Sequence, residues 1–138
     1  MNVNHKIRMA ETINEYLGAS LVYGQTDCNL MMLSVYEEDK HDALKGHYKT
    51  AIGGARVAKK LFGYPHIKNY MAESELYEEI TNPLMVVYGD IVVCKNNNAT
   101  MLATGYDTAF FSDSEHDDTF RHSNIELDMT HHIVYRRL

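Results

Sequence analysis

With 138 residues, 45% apolar and 23% charged, the chain has the size and balance of one globular domain that can bury a core without disulfide or metal staples. Its net charge of −6 gives no general attraction to phosphate backbones, so nucleic acid is not an expected partner. No apolar run approaches the ~20 residues needed to cross a bilayer, and no membrane partner is expected either. Cys28 and Cys94 lie far apart in sequence and read as two free thiols, not a structural disulfide. The opening residues, Met1 to Arg8, lack the apolar stretch of a signal peptide, which predicts synthesis in a cytoplasm.

The first predicted helix spans Asn4 to Tyr16, with Ile7, Met9 or Ala10, Ile13 and Leu17 as its apolar face and Gly18 as its stop. A second helix starts after Asp27, a good N-cap, and presents Leu30, Met31, Leu33 and Val35 until the charged Glu37-Glu38-Asp39-Lys40. Cys28 therefore falls in the first turn. A third helix is expected from about Tyr48 to Leu61, where Ala51, Ile52, Ala55, Ala58 and Leu61 recur at three and four. Gly53-Gly54 inside it costs about 1 kcal/mol each relative to Ala, so close packing against another element is predicted there. After Gly63-Tyr64-Pro65, Glu73 to Ile80 reads as a short acidic helix.

From Leu84 the composition turns β-branched and aromatic. Leu84 to Tyr88 and Ile91 to Cys94 read as strand around a bend at Gly89-Asp90. Lys95 to Asn98 reads as a turn, Ala99 to Thr104 and Thr108 to Phe111 as further strands, Ser112 to Asp118 as an acidic loop, and Ile133 to Arg136 as a closing strand. Helices first and strands second predict an α+β domain over residues 1–138, with the helices packed on one side of a C-terminal antiparallel sheet.

LVYGQTDCNL, residues 21–30, resembles the short phage-encoded branch of the papain-like NlpC/P60 superfamily, in which an aromatic-glycine pair precedes Asp-Cys. Lys45-Gly46-His47-Tyr48 is similar to that branch's Arg-Gly-x-Tyr element, Tyr88-Gly89-Asp90-Ile91 to its Gly-Asp strand, and Ile133-Val134-Tyr135-Arg136 to its final aromatic-Arg strand. The resemblance implies an NlpC/P60-like fold in which Cys28 would attack an acyl carbon of a peptidoglycan stem peptide. A helix start suits such a thiol, because free N–H groups and the positive dipole end stabilise the thiolate. The chemistry also needs a base, which the resemblance places at the start of the strand after Gly-Asp. Ala99 stands there instead. A base would have to be His116, His122, His131 or His132 folding back over the sheet. Cys28 thus remains either a nucleophile or a small packed residue.

The remaining candidates have plain structural readings. Cys94 sits in an apolar alternation, Asp27 caps a helix, and Asp90 satisfies backbone groups in a bend. His131-His132 would point to opposite faces of a strand with no metal-ligand spacing beside them, and the loop group His116-Asp117-Asp118 with His122, though able to recruit a metal weakly, reads as a solvated acidic loop, so no metal site is expected. Ala51 to Arg56 lacks the Lys-Ser/Thr of a phosphate loop, and no cofactor is expected. Glu37 to Asp39, Glu73 to Glu79 and Asp113 to Asp118 could present negative charge to a basic partner.

Three functions follow as expectations. The first is a phage particle or tail-associated protein on a degenerate peptidase scaffold, made in the host cytoplasm and carried into the virion, with a phage or host protein or a peptidoglycan stem peptide as partner. The second is an active cell-wall amidase or endopeptidase using Cys28. The third is an acidic phage protein that inhibits a host factor.

Overall fold

The computed structural model describes all 138 residues. Helix α1, Val3–Tyr16, is capped by the Asn2 side chain, which accepts from the His5 N–H, and it stops at Gly18 in the left-handed region, φ +78°. Its buried side is Met9, Thr12 and Tyr16, whereas Ile7 and Leu17 of the expected face are exposed. The reason lies in what α1 meets: the Thr12 and Ser34 hydroxyls lie 3.1 Å apart, and Tyr16 packs edge-on against Phe120. Helix α2, Cys28–Tyr36, is the central element, with Leu30, Met31, Met32, Leu33, Val35 and Tyr36 all buried. The charged run after it does not end helical structure. Glu37 breaks the geometry, and α3, Glu38–Leu44, begins at once.

Helix α4, Ala51–Phe62, starts later than expected because Thr50 caps it, accepting from the Gly53 N–H at 2.9 Å. Gly54 lies against the Tyr48 ring, where a Cβ would come within 2.9 Å of ring carbon. That is the close packing predicted for the glycine pair. Helix α5, Ile67–Glu73, ends where an acidic helix was expected to begin, and Tyr77–Ile80 is instead strand β1. Tyr77 is buried and Glu78 and Glu79 point outward, an arrangement that pairing with a neighbouring strand supports and an isolated acidic helix would not.

The other strands are β2, Ile91–Cys94; β3, Thr100–Ala103; β4, Thr108–Asp113; β5, Thr119–Asn124; and β6, His132–Arg137. They form one six-stranded antiparallel sheet in the order β1-β6-β2-β3-β4-β5. One expectation among the strands needs correction, one strand was not foreseen, and the expected closing strand is present as β6. Leu84 to Tyr88 is not a strand, because β6 and β3 already flank β2; Pro83–Met85 forms a 3-10 turn and Leu84, Met85, Val87 and Tyr88 are exposed. Residues 119–124, unassigned from sequence, form an edge strand. The closing strand inserts between β1 and β2.

The α+β class is as expected, with the helices on one face. Ile91, Val93, Leu102, Phe110, Phe120 and Tyr135 pack into a common core with the helical residues. On the opposite face Val92, Met101, Ala103, Ala109 and Val134 are covered by Val86 and by the irregular segment carrying Ile125, Leu127 and Met129. No helix is long and apolar enough to cross a membrane.

Candidate functional site around Cys28

The motifs singled out in the sequence converge on Asp27. Its Oδ1 accepts from the Leu30 N–H at 2.9 Å, the N-cap bond, while Oδ2 accepts from the Gly24 N–H at 2.9 Å and the Tyr48 hydroxyl at 2.5 Å. Burial, then the neighbouring carboxylate, push the Tyr48 phenol well above its ordinary value, so it stays a donor. Gly24 has φ +84°, and a Cβ there would stand 2.0 Å from the Tyr48 carbonyl oxygen. Gly46 N–H closes the same corner by donating to the Gly24 carbonyl at 2.8 Å. Tyr-Gly, Asp-Cys and Lys-Gly-His-Tyr thus form one buried brace that fixes the start of α2.

Cys28 is the first residue of α2 and is partly exposed. Burial pushes its thiol up to about 11; the main-chain N–H of Thr100 offsets part of this, and the Asp27 carboxylate adds to the rise. Desolvation therefore outweighs the helix N-terminus, which acts in the opposite direction. Thr100 also reaches the neighbouring side chain, its hydroxyl donating to Asn29 Oδ1 at 3.1 Å. The start of β3 accordingly lies beside Cys28, and the residue just before it, where the sequence reading looked for a base, is Ala99.

A cleft of about 490 Å³ opens at this point, lined by both Cys28 and Ala99. Two features of the chain create it. On α4 the side facing the cleft carries Ala51, Gly54, Ala55 and Ala58, one helical stripe of small residues that fills little space. In the sheet, β3 and β4 pair only at Leu102–Phe110 and Ala103–Ala109, so Thr100 and Met101 have no partner on β4 and the strands part. The opening is lined from the helical side by Leu33 and Leu44 and from the other side by Cys94, Met101 and Phe111.

The four histidines considered from sequence do not line this cleft. His116 Nδ1 lies 2.9 Å from Asp113, His122 bonds Thr104, His131 lies 3.7 Å from Asp128, and His132 Nδ1 accepts from the Asp128 N–H at 3.1 Å. The histidine that does line it is His66, at the N-cap of α5 after Pro65. No sequence spacing pointed to it. Cys94 shares the cleft, with its thiol raised by burial, and packs with the core of the second sheet face. No three His, Cys, Asp or Glu side chains group closely enough to hold a metal ion.

Asp90 is remote in role from Cys28. It is buried and grips Arg136, Nε to Oδ1 and Nη2 to Oδ2, both at 2.9 Å, and it also accepts from the Val87 N–H at 3.0 Å. The Gly-Asp and aromatic-Arg motifs are therefore one ion pair across β2 and β6. Glu37 is likewise turned inward and belongs to no acidic face: it accepts from the Tyr77 hydroxyl at 2.6 Å, the Tyr70 hydroxyl at 3.1 Å and Lys40 at 3.2 Å.

Comparison with curated proteins gives no match. A family described as a domain of unknown function, DUF6950, matches residues 2–125, from the cap of α1 through β5, and the chain belongs to that family.

Proposed function

We propose that this protein is a phage particle or tail-associated module on a cysteine-peptidase-like scaffold that has lost standard peptidase chemistry, and that its cleft holds an extended segment in assembly or cell-wall contact. The observation that carries this is the setting of Cys28: a thiol raised to about 11, beside Ala99 where the resemblance expects the base. With that value, roughly one thiol in 10⁴ is ionised at pH 7, too few for efficient attack without an activating imidazole. The motif resemblance supports the phage and NlpC/P60 parts of the reading.

Iodoacetamide labelling at pH 6 tests it. Cys28 is expected to react more slowly than free cysteine, and Ala99→His is expected to raise its rate by at least about tenfold by placing an imidazole beside the sulfur. Unchanged labelling in Ala99→His would remove the scaffold reading.

One observation favours the active amidase as a second reading, because His66 lines the cleft with Cys28. It requires fast labelling at pH 6 that His66→Ala abolishes, together with hydrolysis of a purified stem peptide. Slow labelling in the unaltered chain would exclude it.

A further inference from the structure

The Cys28 cleft adjoins a cationic hollow, although the chain as a whole is acidic. On α4, Ile52, Arg56, Lys59 and Lys60 share one helical side and line a shallow hollow that also includes His66. No carboxylate lines that hollow. It runs into the Cys28 cleft, since Ala51, Ala55, Pro65 and His66 line both. What distinguishes the hollow is the clustering of three cations with no carboxylate beside them. Arg56 and Lys60 enter no ion pair, and Lys59 donates only to the Gly63 carbonyl. The cleft itself is lined by the carboxylates Asp113 and Asp118 and by no Lys or Arg.

We propose that the cleft and the α4 hollow together bind an extended acidic segment of a partner protein, its carboxylates lying along Arg56, Lys59 and Lys60 and its small or apolar side chains entering beside Cys28. This rests on the reading of the cleft as a binding site without peptidase chemistry. The charge gradient sets direction as well as preference: carboxylates are drawn to α4 and repelled from Asp113 and Asp118, so the segment lies in one orientation. Ile52, 68% exposed in the same hollow, supplies an apolar contact between the cations. The small residues of α4 leave room for a backbone, and the parting of β3 from β4 leaves the far wall open.

Fluorescence anisotropy on the full chain tests this with three labelled probes: a ten-residue Glu-Ala peptide, its Lys-Ala counterpart and a ten-nucleotide oligothymidylate. The Glu-Ala peptide should bind most tightly, and more weakly at high salt. The double variant R56E/K60E should weaken it by about tenfold or more, and both positions are exposed, so folding is unaffected. Ala99→Trp, which fills the cleft beside Cys28, should weaken it similarly. Tighter binding of the Lys-Ala peptide or of the oligonucleotide overturns the proposal. Loss with Ala99→Trp but not with R56E/K60E overturns the charge preference and leaves the cleft reading standing. Loss with neither overturns both. Cleavage of the Glu-Ala peptide with Cys28 required would overturn the non-catalytic reading alone.

Discussion

Asp27 and Asp90 each follow a glycine-containing motif and each is buried, at 3% and 1% exposure, yet they are satisfied in opposite ways. Asp27 is held by neutral donors: the Gly24 N–H from the turn before α2, the Leu30 N–H from the first turn of α2, and the Tyr48 hydroxyl from the segment before α4. Asp90 takes one main-chain donor, the Val87 N–H, but is held chiefly by a cation, Arg136, from a strand distant in sequence. The first arrangement builds local geometry at the cleft, and the second ties two strands together. The contrast also bears on chemistry, because an acidic residue beside a candidate nucleophile is usually suspected of orienting a base. Both oxygens of Asp27 are already occupied by structural donors.

The largest effect should come from removing the neutral cluster. Asp27→Ala strips three donors of their acceptor in a buried corner and removes the cap of α2, so a loss of about 3–4 kcal/mol is expected from urea denaturation. Asp90→Ala should cost less, about 2–3 kcal/mol, because Arg136 is partly exposed and regains water. Equal losses would mean that the partners' exposure does not separate the two sites. The smallest effect at neutral pH, though not in alkali, concerns Cys28. Its folded-state value is raised, so the stability it contributes is complete below the unfolded thiol value and is lost as pH rises through about 9 to 11. Cys28→Ala should flatten that alkaline loss in denaturation midpoints measured from pH 8 to 11. Asp27→Asn removes a charge that adds to the rise, so the alkaline loss should become smaller with its onset unchanged, and an undiminished loss would assign the rise to burial alone.

What could be read from the sequence follows how local each determinant is. Asp27 as a cap and Gly54 as a contact point were legible because a cap needs only the next three residues, and a glycine pair inside a helix needs a reason. The β2 to β4 meander was legible for the same cause, its turns lying between adjacent strands. Leu84 to Tyr88 misled because β propensity says nothing about whether a partner strand is free, and β6 had taken the place beside β2. Tyr77 to Ile80 misled in the opposite direction, since its partner lies at the far end of the chain. At the site, Cys28 and the absence of histidine at Ala99 were legible as positions, and the structure puts them together. His66 was not, because its place on the cleft depends on how α4 and α5 pack, which no spacing records.

The place of β6 in the sheet has a kinetic side. This strand is the last element in chain order, yet it lies between β1 and β2 and pairs with both. During synthesis the meander of β2 to β5 can form from neighbouring segments, whereas β1 has no strand to join until β6 has emerged. The pocket wall made by β3 and β4 can therefore assemble early, while the ion pair between Asp90 and Arg136 closes the fold late. A nascent chain in which β6 has not yet emerged would expose the edge of β2, and the Asp90–Arg136 pair can form only once β6 is in place.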